Sequence, residues 1–242
     1  MEPPIEISVA TTAKGEVRIE DPTRTERVIA RRAAESRATV PDIELTVIVD
    51  MSAMCAERSR LGAAEGSSDT PSLTAVIVKA AALALREHPR ANGAYRDGKF
   101  ELYSRVNVGV VMAADDAFLV PTVSDADVKT TVAIDAELEA RAASVRAGTI
   151  TPPELAGATF TVYDLGTLGV SSFSPPVLPP QAAILAVGAV RAVPVVRDGD
   201  MVAGDEMNLT LACDHRILHG PQAAGFLTRI RSLLEAPAEL LG

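Results

Sequence analysis

The stretch Leu209–Gly220, reading LTLACDHRILHG, constrains the fold more than any other. Leu209, Leu211 and Cys213 alternate like the inward face of a strand, and the run then breaks into three polar residues, Asp214, His215 and Arg216. Beyond Gly220 and Pro221 the pattern turns helical, with Ala224, Leu227, Ile230, Leu233 and Leu234 on one stripe. A chain with this order holds His215 at a strand end between two packed elements. That is where a general base is positioned most rigidly.

The other strong element is Ser72–Arg86 (SLTAVIVKAAALALR), which is apolar nearly all round and reads as a buried helix. Helices are also expected over Thr25–Ala38, from Ser52 onward, and over Thr130–Ala147. Strands are expected at Ile43–Met51, Phe100–Tyr103, Val106–Met112, Phe118–Val123, Thr159–Tyr163, Ala182–Val187, Ala192–Val196 and Asn208–Cys213. Gly93–Gly98 reads as a turn, Gly62–Pro71 as a surface loop, and Ile5–Val9 with Glu16–Ile19 as an edge hairpin turning near Lys14-Gly15. Helices and strands interleave without a strict repeat, which points to an α/β (α+β) domain with a mixed sheet covered by helices, not a doubly wound parallel one. With 242 residues, 48% of them hydrophobic, and no linker, one large domain is expected.

A formal net charge of −9 leaves little basic surface for phosphate neutralisation, so no nucleic-acid partner is expected. No signal peptide and no run of about 18 apolar residues occurs. Together with only two cysteines, Cys55 and Cys213, this reads as a soluble, reduced, cytoplasmic protein with no membrane partner. His88, His215 and His219 and the two distant cysteines give no zinc-type spacing. His215 and His219 are four apart, but Gly220-Pro221 makes that segment a turn, so no metal is expected.

Blocks along the chain carry a resemblance: IARRAAESRATVP at 29–41, VDMSAM at 49–54, LTAVIVKAAALALREHPRANG at 73–93, VNVGVV at 106–111, FLVPTV at 118–123, ELAGATFTV at 154–162, LPPQAAILAVG at 178–188 and DHRILHG at 214–220. In this order they resemble the catalytic domain of the 2-oxo acid dehydrogenase acyltransferases (E2, dihydrolipoamide acyltransferases), which shares the chloramphenicol acetyltransferase fold. The resemblance implies a two-layer sandwich over residues 25–242 behind an N-terminal extension, 1–24. It implies acetyl-CoA as acyl donor and a homotrimer, possibly built into a larger cage, with the site between subunits. It also implies that His215 takes a proton from an acceptor thiol or hydroxyl, which attacks a thioester carbonyl. Imidazole suits that task, since its unperturbed form is mostly neutral at cytoplasmic pH. Read from the residues alone, an ordinary hydrogen-bonded histidine at a strand end is the favoured reading of His215.

Three positions depart from the family, two of them as a pair. Tyr163, in TFTVYDLG, stands where the family often has the Ser or Thr that donates a hydrogen bond to the oxyanion. A phenol can donate too, but its ring also packs, and Thr161, Ser171 or Ser172 could take over. His219 stands where the family usually has Asp, and Glu26 where it has the partner arginine. A brace with reversed charges, Glu26 to His219, would support the loop that carries His215 beside Asp214 and Arg216, and two solvated surface groups are the alternative. His88 reads as structural. Asn92 and Ala113–Ala117 are expected near the substrate channel, and the 169–180 loop is expected to line the coenzyme.

No lipoyl-lysine hairpin occurs in the chain. That favours a free-standing acetyl-CoA-dependent O-acetyltransferase acting on a small-molecule hydroxyl, of the kind found in tetronate biosynthesis. The alternatives are an E2 core that passes acyl groups between dihydrolipoamide and CoA, and a non-catalytic scaffold.

Overall fold

The computed structural model describes residues 7–63, 70–114 and 117–241. A hairpin of β1 (Ile7–Thr12) and β2 (Gly15–Glu20) leads into α1 (Arg24–Thr39), β3 (Asp42–Asp50), α2 (Ser52–Gly62) and α3 (Leu73–Glu87). Two short hairpins follow, β4 (Gly93–Arg96) with β5 (Lys99–Leu102) and β7 (Met112–Ala114) with β8 (Ala117–Leu119), with β6 (Val108–Val110) between them. Then come β9 (Thr122–Val123), α4 (Thr131–Arg146), β10 (Phe160–Asp164), β11 (Ala183–Val187), β12 (Arg191–Arg197), β13 (Asp200–Asp214), α5 (Gly220–Glu235) and α6 (Ala238–Leu241).

The main sheet runs β12-β13-β11-β10-β6-β9, with β3 also paired to β13. It is mixed, as expected: β10 is parallel to β11 and β6, while β13 is antiparallel to β11, β12 and β3. Fifteen residues long, β13 joins all three of its neighbours. Only its C-terminal half, from Asn208, shows the alternation of a packed strand. Before it, all but Gly204 and Met207 are polar or exposed, and Asp200–Glu206 pair with β12, which hides this half from a pattern search.

One face of the sheet, with Phe160, Val162, Leu185, Leu209, Leu211 and Cys213, is buried in the same core as α3 and α5. Helix α3 is apolar all round because α4, α5 and α6 contact it, and nine of its fifteen residues are buried. Lys79 is its polar exception, giving its ammonium to the Asp127 and Lys129 carbonyls. The buried stripe of α5 begins at Ala223 and Phe226, and Ala224 faces outward, one position off the expected register. His88 is structural, its ring edge-on to Phe226 at 5.8 Å. The opposite face of the sheet carries Tyr163, Ile184 and Ala212 beneath Val40, Val177 and Leu178.

Three expectations need correction. Gly93–Gly98 is mostly strand, the turn being only Asp97-Gly98, both at positive φ. Gly93 permits the strand pairing, since a Cβ there would lie 2.6 Å from the Glu101 carbonyl oxygen. Val106–Met112 divides at Val111 between the main sheet and the β7-β8 hairpin, and Phe118–Val123 divides before Pro121, which has no N–H for the ladder. Residues 1–6 of the expected N-terminal hairpin and 64–69 of the expected loop lie outside the described residues.

Phe226 meets Phe160 edge-to-face at 5.6 Å and is fully buried. Phe226→Ala is expected to cost about 3–5 kcal/mol, read from the shift of a urea unfolding curve.

Candidate active site

At the end of β13 every backbone N–H from Asp214 to Leu218 is hydrogen-bonded. Asp214 pairs with Asp42 of β3, and its N–H donates to the Ala182 carbonyl at 2.8 Å. His215 N–H donates to the Pro41 carbonyl at 3.0 Å. The N–H groups of Ile217 and Leu218 both donate to the Asp214 carbonyl, at 3.1 and 3.0 Å. The Asp214 carboxylate, 4% exposed, accepts from the Arg216 N–H at 3.0 Å and from its guanidinium at 2.9 and 2.7 Å. That guanidinium lies 4.7 Å over the Tyr95 ring. Asp214 and Arg216 thus close the turn together, with both carboxylate oxygens hydrogen-bonded.

This frame leaves the His215 side chain outside. The residue is exposed, and its ring meets the His219 ring edge-on at 5.4 Å between centroids. His219 is the N-cap residue of α5 and makes no side-chain capping bond. Behind the turn Cys213 is buried, and burial, then the charges of Asp214 and Asp42, push its thiol up to about 12. Cys213 is therefore a protonated packing group, its Sγ 3.7 Å from the Leu218 carbonyl.

Tyr163 lies elsewhere in the chain. It pairs in register with Ala186, and Ala186 with Thr210, five residues before His215. At ordinary strand geometry this separates them by about 17 Å along the strands and about 10 Å across them. The structure does not bring Tyr163 and His215 to one point within a chain. The Tyr163 ring packs edge-on against Phe173 at 5.1 Å and beside Phe118 at 6.2 Å. Its hydroxyl has no hydrogen-bond partner among the described residues. Pattern reading passed over Phe118 and Phe173, although aromatic residues are only 3% of the sequence and three of them meet here.

Glu26 and His219 are not joined, which corrects the expected brace. Glu26 is the third residue of α1 and closes a capping box, its carboxylate accepting the Thr23 N–H at 2.6 Å while its own N–H donates to the Thr23 hydroxyl. The Thr23 backbone N–H, and after it the Thr23 hydroxyl, hold its carboxyl below the usual carboxylate range. The Ser/Thr-x-x-Glu pattern, TRTE at 23–26, was present in the sequence to be read. Thr161 is buried with its hydroxyl committed to the Gln181 side chain, and Asn92 clasps the Tyr103 and Arg105 carbonyls. Both are structural ties. A separate cavity of about 280 Å³ opens beside Asp164, lined by Ser72, Thr74, Asp135 and Glu139, without His215 or Tyr163.

With this geometry, residues 14–242 match the family 2-oxoacid dehydrogenases acyltransferase (catalytic domain). The chain belongs to that family. It is 32% identical to the dihydrolipoyllysine-residue acetyltransferase component of the pyruvate dehydrogenase complex of Zymomonas mobilis, over 89% of this chain and 49% of that protein. The chain thus spans about half the length of the curated relatives it matches. Among solved structures it is similar to Azotobacter vinelandii dihydrolipoamide acetyltransferase, studied for the roles of a serine, a histidine and an asparagine in its catalytic mechanism (28% identity, TM-score 0.89, all of both chains). The cubic core of a pyruvate dehydrogenase multienzyme complex matches equally well, at 28% identity and TM-score 0.89 over all of both chains. Chloramphenicol acetyltransferase shares the fold, at 15% identity and TM-score 0.54 over 84% of this chain and 94% of that one. The family match begins at residue 14, inside the β1-β2 hairpin and ahead of the expected boundary at residue 25.

Two outcomes follow for the site. Asp214→Ala is expected to lower stability by about 1–3 kcal/mol in urea, a range moderated by the solvent exposure of Arg216. Glu26→Gln keeps an oxygen for the Thr23 N–H and is expected to leave the urea midpoint unchanged. A large loss there would restore the brace.

Proposed function

We propose that this chain is the catalytic domain of an E2-type acyltransferase, exchanging an acyl group between CoA and dihydrolipoamide with His215 as general base. The observation that carries the proposal is an exposed imidazole on a turn whose N–H groups, from Asp214 to Leu218, and buried carboxylate are hydrogen-bonded. Spacing supports it. The serine, histidine and asparagine of the Azotobacter enzyme are separated by 52 and 4 residues, as are Tyr163, His215 and His219 here.

In the forward direction His215 takes the proton of the dihydrolipoamide thiol, and the sulfur attacks the carbonyl carbon of acetyl-CoA. The carbonyl π pair moves onto oxygen to give a tetrahedral oxyanion. Collapse re-forms the carbonyl, breaks the bond to the CoA sulfur, and returns the proton from imidazolium to the departing thiolate. The oxyanion needs a donor, and the unpartnered Tyr163 hydroxyl is the group we assign to it. Because Tyr163 and His215 lie so far apart in one chain, the pair that meets at one carbonyl must come from two copies. That supports a homotrimer with shared sites, and the likeness to a cubic core supports a larger cage built from it.

The relatives support dihydrolipoamide as the acceptor over a small-molecule hydroxyl, since those matched are dihydrolipoyllysine-residue acetyltransferases. The exposed His215 counts against a silent scaffold. Acetyl transfer from acetyl-CoA to free dihydrolipoamide, followed as thioester formed, is the test. His215→Ala is expected to lower kcat at least 10²-fold, and Tyr163→Phe about 10²- to 10³-fold with little change in KM. Thioester consumption with a hydroxylated acceptor but none with dihydrolipoamide would overturn the acceptor. An unchanged rate in His215→Ala would overturn the mechanism.

A further inference from the structure

The chain has eight aromatic side chains, five Phe and three Tyr, and three of them gather where the proposed chemistry needs an oxyanion donor. Phe173 stands edge-on to the Tyr163 ring at 84°, and Phe118 flanks it at 32°. Beneath Tyr163 lie Val40, Val177, Ile184 and Ala212, none more than 7% exposed. Protein therefore bounds the ring on the sides of Phe173, Phe118 and the sheet, and its remaining side faces solvent.

The loop that carries Phe173 is equally fixed. The Asn208 side-chain amide donates to the Ser171 carbonyl at 3.0 Å, and Ala189 N–H donates to the Val170 carbonyl at 2.8 Å. Further along, the Ser36 hydroxyl donates to the Val177 carbonyl. Gly188 lets the loop sit this close, because a Cβ there would fall 2.1 Å from the Ser171 carbonyl oxygen. All three rings nevertheless stay partly exposed, leaving an apolar aromatic wall on the surface.

We infer that Phe118, Tyr163 and Phe173 form a wall that sets the size and polarity of the transferred acyl group, confining it to acetyl. This rests on the reading of Tyr163 as the donor to the thioester oxygen. A group beside that oxygen is also beside the acyl substituent, since both are bonded to the same carbon. At the position 52 residues before the histidine, the Azotobacter enzyme has a serine, whereas here a buttressed phenol ring fills the space. A branched four-carbon acyl group collides with a wall that cannot retreat. A succinyl carboxylate would lose its water against aromatic carbon with no partner in return.

The test is a series of acetyl-, propionyl-, isobutyryl- and succinyl-CoA, each with free dihydrolipoamide, for the full chain and for Phe173→Ala, Phe118→Ala and the milder Phe173→Leu. The full chain is expected to prefer acetyl over isobutyryl by at least 10-fold in kcat/KM, the size of discrimination that one extra methylene commonly gives. Phe173→Ala and Phe118→Ala are expected to reduce that ratio at least 5-fold by raising isobutyryl transfer, with Phe173→Leu intermediate. Equal rates with acetyl and isobutyryl in the full chain, or an unaltered ratio in folded variants, would overturn the wall. Should no acyl-CoA transfer to dihydrolipoamide, the proposed acceptor fails on its own. Calorimetric titration of acetyl-CoA and isobutyryl-CoA into the same proteins then decides the wall: tighter acetyl-CoA binding that Phe173→Ala levels supports it, and equal affinities in the unmutated chain overturn it.

Discussion

The buried carboxylate of Asp214 is the constraint on which the candidate site depends. A carboxylate taken out of water must be bonded on its remaining lone pairs, and here the bonds come from the backbone and guanidinium of Arg216, two residues along. Satisfying it locally forces the chain into a tight turn directly after β13, and that turn throws His215 outward while Ile217 and Leu218 return to the core. The cost of burying the charge thus becomes positional precision for the neighbouring imidazole. Arg216 in turn lies over Tyr95, which ties the turn to β4, the Gly93–Arg96 strand that the sequence reading made part of a turn.

A second consequence follows from sheet geometry. One face of the sheet is consumed by the helical layer, so chemistry is left to the strand ends and the other face. His215 occupies an end and Tyr163 the other face, several residues away in register. No side-chain rearrangement closes a gap of that size. A reaction that uses both groups then requires two copies of the chain.

The substitutions at Tyr163, His219 and Glu26 have separate physical accounts. Glu26 serves the first turn of α1, where a carboxylate satisfies an orphan N–H and faces the positive end of the helix dipole. His219 caps the start of α5 in position only and stacks edge-on with His215, so its ring borders that imidazole without any tie to Glu26. Tyr163 alone among them is built into a cluster, held by two phenylalanines from distant parts of the chain.

Much of this was legible from residue order. Alternation in Leu209–Cys213, the polar break at Asp214–Arg216 and the apolar Ser72–Arg86 helix specify a mixed sheet under helices with a histidine at a strand end, because local periodicity reports which face is buried. Sequence periodicity carries no signal for pairing across strands. It could not show that β13 extends back through Asp200–Glu206 to meet β12, that Phe118 and Phe173 converge on Tyr163, or that Glu26 makes no bond to His219 across the fold. Those were decided by tertiary structure, since register and loop path, not residue type, determine which distant side chains share a place.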